Sequence, residues 1–367
     1  MKAPKLGMRV AGSAEFRLLT ECCRAGHSGR SGADIPATID WQHFLRLARF
    51  HRVEGFAWNH LSNQRGAPPS VEQALADSAA RIAATSLQAA AESRLLLDRF
   101  AAAKVPLLFL KGLTLGALAY GNPALKAAID IDLLVDPGDL RKASELLRNA
   151  GYRLVTPRES SADRILQSWH RSWKESVWTK SAPRMQIDLH TRVADNRRLL
   201  PSIDVHSPRQ IVDIGSGIQL PTLADEQLFA YLAVHGASSA WFRLKWISDF
   251  AGLLEGETPE RIDHLYRRSQ ELGAGRAAGQ ALLLADELFG TLNQNSPLRN
   301  ELGRDFATRQ LYSAALKLLT GEPNEPTEQY LGTLTIHWTQ FLLLPGTRYK
   351  MSELLRQANR PLVRARS

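Results

Sequence analysis

The sequence predicts an α+β protein, a small mixed-sheet domain held between two helical regions. Three observations carry that expectation. A stretch rich in Ala, Leu, Gln and Glu from Pro68 to Ala103 has helical periodicity for about nine turns. Short apolar runs bounded by Gly, Pro and Asp then dominate from about 105 to 215. From Asp225 onward the helical period returns.

Residues 1–35 are rich in Gly, Ser and Arg and read as loosely ordered, and 36–104 as an N-terminal helical region. Within the latter, Trp41, Phe44, Leu45, Leu47, Ala48, Phe56 and Ala57 fit one or two amphipathic helices. Ser70 with Gln73 three residues on suggests a capping box for the long helix. The α/β domain is expected over 105–215. It opens with a buried strand, Val105-Pro106-Leu107-Leu108-Phe109-Leu110, ending at the turn Lys111-Gly112. A short helix follows from Leu113 to Tyr120, then a strand over 128–135, and an amphipathic helix from Asp139 to Ala150 stopped by Gly151. Tyr152 to Val155 reads as a third strand, and 176–179 with 185–190 as a hairpin. A C-terminal helical domain spans 216–345, and a basic tail 346–367 reads as a solvated or frayed terminus.

The strand at 128–135 carries the chemistry. Side chains alternate faces along a strand, so Asp130 and Asp132 point one way while Ile129, Ile131 and Leu133 point into the protein. Two carboxylates on one face repel, and burying them unpaired costs several kcal/mol. A cation between them removes the conflict. Mg²⁺ is a hard ion that accepts carboxylate and phosphate oxygens together, which points to phosphoryl or nucleotidyl transfer. Holding two metals takes several carboxylates, and Asp188 between Ile187 and Leu189 supplies a third from the hairpin. At Lys111-Gly112 the glycine lets backbone N–H groups approach phosphate at a helix N-terminus, and the lysine adds charge.

With these residues in place, the chain resembles the uncharacterised nucleotidyltransferase family of the polymerase-β-like superfamily. The resemblance lies in Phe109-Leu110-Lys111-Gly112, Asp130-Ile131-Asp132-Leu133-Leu134-Val135, Ala150-Gly151-Tyr152 and Ile187-Asp188-Leu189-His190. It extends to His235-Gly236, Trp241, Arg243-Leu244-Lys245-Trp246 and Asp249. Lys126 stands where the family commonly has Arg, and Ser239 where a second His is common. The resemblance implies two Mg²⁺ ions, with Mn²⁺ as the alternative, held by Asp130, Asp132 and Asp188, and an NTP as donor. Asp188 would also help deprotonate the attacking hydroxyl. Lys111, Gly112, Lys126, His190, Arg243 and Lys245 are the candidate nucleotide-binding residues. Arg243 or Lys245 paired with Asp249 is the structural alternative for that block. Trp169 and Trp173, one helical turn apart, read as a core cap or as a platform for a base, with His170, Arg171 or Lys174 facing the nucleotide. The resemblance implies a hydroxyl or phosphate acceptor, with a sugar or glycan as a weak preference, since proteins of the family it resembles often accompany surface-polysaccharide genes. A non-catalytic nucleotide-binding module, or half of a toxin–antitoxin-like pair, is the alternative function.

Composition sets outer bounds. With 367 residues, two or three cores can form, and a hydrophobic fraction of 44% is ordinary for a globular chain. The net charge of +9 suits a polyanionic partner, which leaves nucleic acid open without favouring it. No apolar run approaches the roughly 20 residues of a membrane span, and no apolar signal core follows the N-terminus, so cytoplasm is the default. The adjacent Cys22 and Cys23 read as reduced thiols with no metal spacing. The absence of a Gly-x-x-x-x-Gly-Lys-Ser/Thr motif argues against a P-loop ATPase.

Overall fold

The computed structural model describes residues 12–28, 35–36, 38–62, 64, 66–126, 130–158, 163–292, 295–326, 328 and 331–364. Among its described residues the N-terminal region carries four helices and no strand: α1 (Ala14–Ser28), α2 (Trp41–His51), α3 (Glu54–Leu61) and α4 (Pro69–Ala102). The first of these corrects the sequence reading. Within 1–35, residues 14–28 form a helix that buries Phe16, Leu18, Leu19, Cys22 and Cys23, because an apolar stripe survives among the polar residues. Both cysteines are free and buried. Asp40 caps α2, accepting from the backbone N–H groups of Gln42 and His43 at 3.0 Å. The expected capping box on α4 does not form. Pro69 occupies the first helical position, which puts Ser70 inside the helix, and Gln73 donates to Asp77 instead.

The α/β segment runs β1 (Leu108–Phe109), α5 (Leu113–Tyr120), β2 (Ile131–Leu134), a single 3-10 turn, α6 (Leu140–Asn149), β3 (Arg153–Thr156), α7 (Asp163–Ser172), β4 (Glu175–Ser181) and β5 (Arg184–His190). Of the strand expected at 128–135, residues 128 and 129 lie outside the described residues. The five strands form one mixed sheet in the order β1-β2-β5-β4-β3. Only the central β2–β5 pair is parallel. Ile131, Leu133, Ile187 and Leu189 enter a core with Leu96 and Phe100 of α4 and Ala143 and Leu147 of α6. Alternation therefore leaves Asp132 and Asp188 on the other face. Glu92 of α4, 5% exposed, locks the helix to the sheet by accepting from the Tyr152 hydroxyl at 3.0 Å and from Lys180 at 2.9 Å.

A two-stranded ribbon follows, β6 (Arg209–Asp213) and β7 (Gln219–Leu223). The chain then turns helical again: α8 (Asp225–Ser238), α9 (Leu244–Gly252), α10 (Pro259–Glu271), α11 (Ala277–Phe289), α12 (Ser296–Arg304), α13 (Phe306–Leu319), α14 (Leu334–Gln340) and α15 (Thr347–Arg364). Apart from α14, these share one apolar core with α1 and α3, built around Phe229, Trp241, Phe250 and Leu282. The basic run, expected to be a solvated or frayed terminus, forms α15. It is pinned through Tyr349 to the Gln340 carbonyl at 2.7 Å and through Glu353 to Asn196 at 2.9 Å. Among the described residues no helix is long and apolar enough to cross a membrane.

Candidate active site

The parallel register of β2 and β5 sets Asp132 directly beside Asp188. His190, two residues further along β5, falls on the same face. Ligand atoms of Asp132, Asp188 and His190 all lie within 4.8 Å of one another. Asp132 is 2% exposed and His190 fully buried. Two carboxylates and an imidazole at that spacing fit a divalent ion such as Mg²⁺, Mn²⁺ or Zn²⁺ by donor chemistry, the imidazole widening the choice beyond Mg²⁺.

Both oxygens of Asp132 are engaged by basic side chains. Lys111 donates to Oδ2 at 2.5 Å, and His190 Nε2 lies 3.0 Å from Oδ1. Burial would raise the Asp132 pKa, but Lys111 and His190 outweigh it and hold the group well below the usual carboxylate range. At Asp188 the charge of Lys111 is too weak to offset the opposing effects. Burial and the charges of Asp132, Asp130 and Glu175 raise the Asp188 pKa to about 7. The Gln186 amide, which donates at 3.0 Å, is its hydrogen-bond partner among the described residues.

Of the three sequence-predicted ligands, the structure brings Asp132 and Asp188 together. Asp130 lies one residue before β2, outside the ladder and outside the group within 4.8 Å, although its charge acts on Asp188 and Lys111. His190 takes the third place. Gly112 begins α5 at φ 77° and ψ −119°, a conformation open essentially to glycine alone. With Lys111, Thr114 and Asp130 it lines a narrow crevice that also meets Ile131 and Ala89 of α4.

The other candidates lie in different settings. Lys126 is 3% exposed and pairs with Asp249 at 2.5 Å, and Tyr120 donates to the same carboxylate at 2.9 Å. Asp249 is therefore held by Lys126, where the sequence suggested Arg243 or Lys245. Burial and the neighbouring Lys126 lower Lys245 to about 8, and Asp130 is among the charges around it. Arg243 is not brought to the acids. Its guanidinium binds the Phe50 carbonyl and Glu325 and rests on the rings of Phe50 and Phe242 at 5.0 and 5.1 Å. Trp169 and Trp173 stack on each other at 5.5 Å, and the Trp169 indole donates to the Glu175 carbonyl at 2.7 Å. His170 is spent on Thr191 at 2.9 Å and Ser176 at 3.0 Å, and Lys174 on Glu175.

Glu175 is the site residue that sequence reasoning missed. It faces His190 across the β4–β5 ladder, its carboxylate 3.4 Å from Nε2. Burial opposes its ionisation, but Lys174 and His190 lower it to about 2. The signal was present. The turn at Ala182-Pro183 fixes the hairpin register, and counting back along both strands places residue 175 opposite 190. Helix α8 adds Tyr231 and His235, whose electrostatic neighbours are Lys111, Lys174, Asp132 and Glu175. The Tyr231 hydroxyl has no hydrogen-bond partner among the described residues.

A mixed sheet presenting acids in register, with a Lys-Gly turn opening a helix beside them, defines a nucleotidyltransferase-type enzyme. The family comparison agrees: the chain belongs to the uncharacterised nucleotidyltransferase family, whose model matches residues 37–290. No curated protein matches it.

Proposed function

We propose that the protein transfers NMP from an NTP to a hydroxyl or phosphate acceptor and releases pyrophosphate, with a divalent cation held at Asp132 and Asp188. The observation that carries this reading is the side-by-side placement of those two acids on parallel strands with His190 beside them. A bound divalent ion would supply charge neutralisation for the phosphoryl centre and its leaving group.

The chain's own residues do the rest. The acceptor oxygen attacks the α-phosphorus while the bond to pyrophosphate breaks, so the site must hold donor and acceptor in line. Gly112 and the first turn of α5 offer backbone N–H groups to the triphosphate. Lys111 reaches Asp132 on a flexible stem, and the same stem lets its ammonium move to a phosphate oxygen when the nucleotide arrives. Asp188 receives the proton of the attacking hydroxyl. Asp130, which lines the crevice, adds negative charge on the nucleotide's side. Glu175 fixes His190 from the neighbouring strand.

The test is pyrophosphate release from each of the four NTPs, with Mg²⁺ or Mn²⁺, in the presence of hydroxyl and phosphate acceptors. Asp132→Asn and Asp188→Asn should each reduce release at least 1000-fold, about 4 kcal/mol in barrier. Undiminished release in both variants refutes the reading. NTP bound tightly by the native chain without release would favour a non-catalytic nucleotide-binding module.

A further inference from the structure

A second cavity, of about 360 Å³, lies beyond the carboxyl ends of β2 and β5. Pro137 at the entry to α6, Gln167 and Arg171 of α7, and Thr191, Arg192 and Arg197 line it. A neighbouring cavity of about 230 Å³ shares Arg171, Arg192 and Arg197 and continues to α15, so the three arginines sit where two lobes of one groove meet.

Two of these guanidiniums are set in place by main chain. Arg192 donates to the His170 carbonyl at 2.6 Å and to the Ala194 carbonyl at 3.2 Å. Arg197 donates to the Arg171 carbonyl at 2.8 Å. Both thereby anchor on the last turn of α7, where free carbonyls attract cations. Each guanidinium has five N–H donors, so most remain for a ligand. None of the three pairs with a carboxylate among the described residues; Asp195 lines one lobe only. Three clustered forks with uncommitted donors match a phosphoryl group, which has several charged oxygens and accepts bidentate pairs.

The position says which phosphoryl group. The Lys111–Gly112 crevice lies at the start of β2, next to Asp130, and the arginine groove lies past its end. Asp130 marks the crevice end of β2, whereas the groove opens at Pro137 past β2 and at Thr191 and Arg192 directly past β5. A nucleotide held at the Lys111–Gly112 crevice enters at one end of these strands, which leaves the groove at the other end for a second anionic group.

We propose that the groove formed by Arg171, Arg192 and Arg197 binds a phosphoryl group carried by the acceptor. The word acceptor rests on the nucleotidyl-transfer reading, whereas the anion site does not depend on it.

The experiment is calorimetric titration of the full chain, without divalent metal, using inorganic phosphate and glucose 1-phosphate as probes. Saturable binding is expected, with the ester at least several-fold tighter. Arg171→Gln and Arg197→Gln alter exposed side chains, and each should weaken binding about tenfold. Arg197→Lys, which keeps the charge and loses the planar fork, should recover only part of it. Asp188→Asn should bind as the native chain does. Binding that no arginine substitution changes, or no binding of either probe, overturns the anion site. Phosphate bound as tightly as the ester overturns its assignment to the acceptor. Loss of NTP turnover in Asp188→Asn with phosphate binding intact separates this inference from the catalytic one.

Discussion

Two lysine–aspartate pairs are buried in this protein at the same 2.5 Å separation, Lys111 with Asp132 and Lys126 with Asp249, and their surroundings are opposite in charge. Around Asp132 stand Asp130, Glu175 and Asp188, so four carboxylates face the ammonium groups of Lys111 and Lys174. Around Asp249 the excess is cationic, since Lys245 joins Lys126, and the carboxylate's second oxygen accepts from Tyr120. An ion pair is thus no sign of role by itself. The first cluster has negative charge to spare and suits an incoming cation. The second is closed by its own lysine and joins the segment after α5 to α9.

The largest test of that contrast is Asp249→Asn. It strands Lys126 in a buried site beside another lysine and should cost about 3 to 5 kcal/mol in urea denaturation. The double replacement Lys126→Met/Asp249→Leu should recover most of the loss, since an apolar pair of similar volume needs no desolvation of charge.

The second test also probes the helical region. The His51 ring accepts from the Leu244 N–H at 3.1 Å at the start of α9, and it packs against Phe16 and Phe50. Burial, helped by Arg243, lowers its pKa from 6.5 to about 3. Above pH 6.5 the ring is neutral in both folded and unfolded chains and contributes no pH dependence. Below it, the unfolded chain takes up a proton that the native one refuses. Stability should therefore fall with falling pH by about 1.4 kcal/mol per unit from this residue, down to about pH 3. His51→Gln should flatten the pH profile of the urea midpoint between 6.5 and 4 relative to the native chain.

Smaller effects sharpen the acid cluster. Asp188→Asn removes a charge repelled by its neighbours and should lower Mn²⁺ affinity at least tenfold, about 1.4 kcal/mol, without lowering Tm. Smallest of all, Asp132→Asn should change stability by only about 1 kcal/mol in the same urea experiment, because Lys111 retains Asp130 as a charge partner. A loss there as large as that of Asp249→Asn would erase the distinction between the two pairs.

Much of this was legible in the chain. Helical period over 69–102, the Lys-Gly turn, the hairpin ending at His190 and the alternation that turns Asp132 and Asp188 away from the core are all local patterns, and they place the acids on strands of one face. Arg243 was misleading because sequence proximity to His235 and Asp249 says nothing about which way its guanidinium turns, and Phe50 and Glu325 claim it from distant segments. Glu175 was recoverable only by carrying the register through the turn. The helical packing of 14–28 was hidden because a short apolar stripe in a Gly- and Arg-rich stretch becomes a core face only when other helices cover it.

The amino-acid order alone determined the α+β class and the acids' shared face, since these follow from period and alternation within single elements. The tertiary structure decided which charges meet. Only the parallel docking of β5 on β2 put Asp188 beside Asp132. Only the closure of α9 against the end of α5 gave Asp249 to Lys126. Coulomb energy depends on distance and burial, and both are set by elements far apart in the chain.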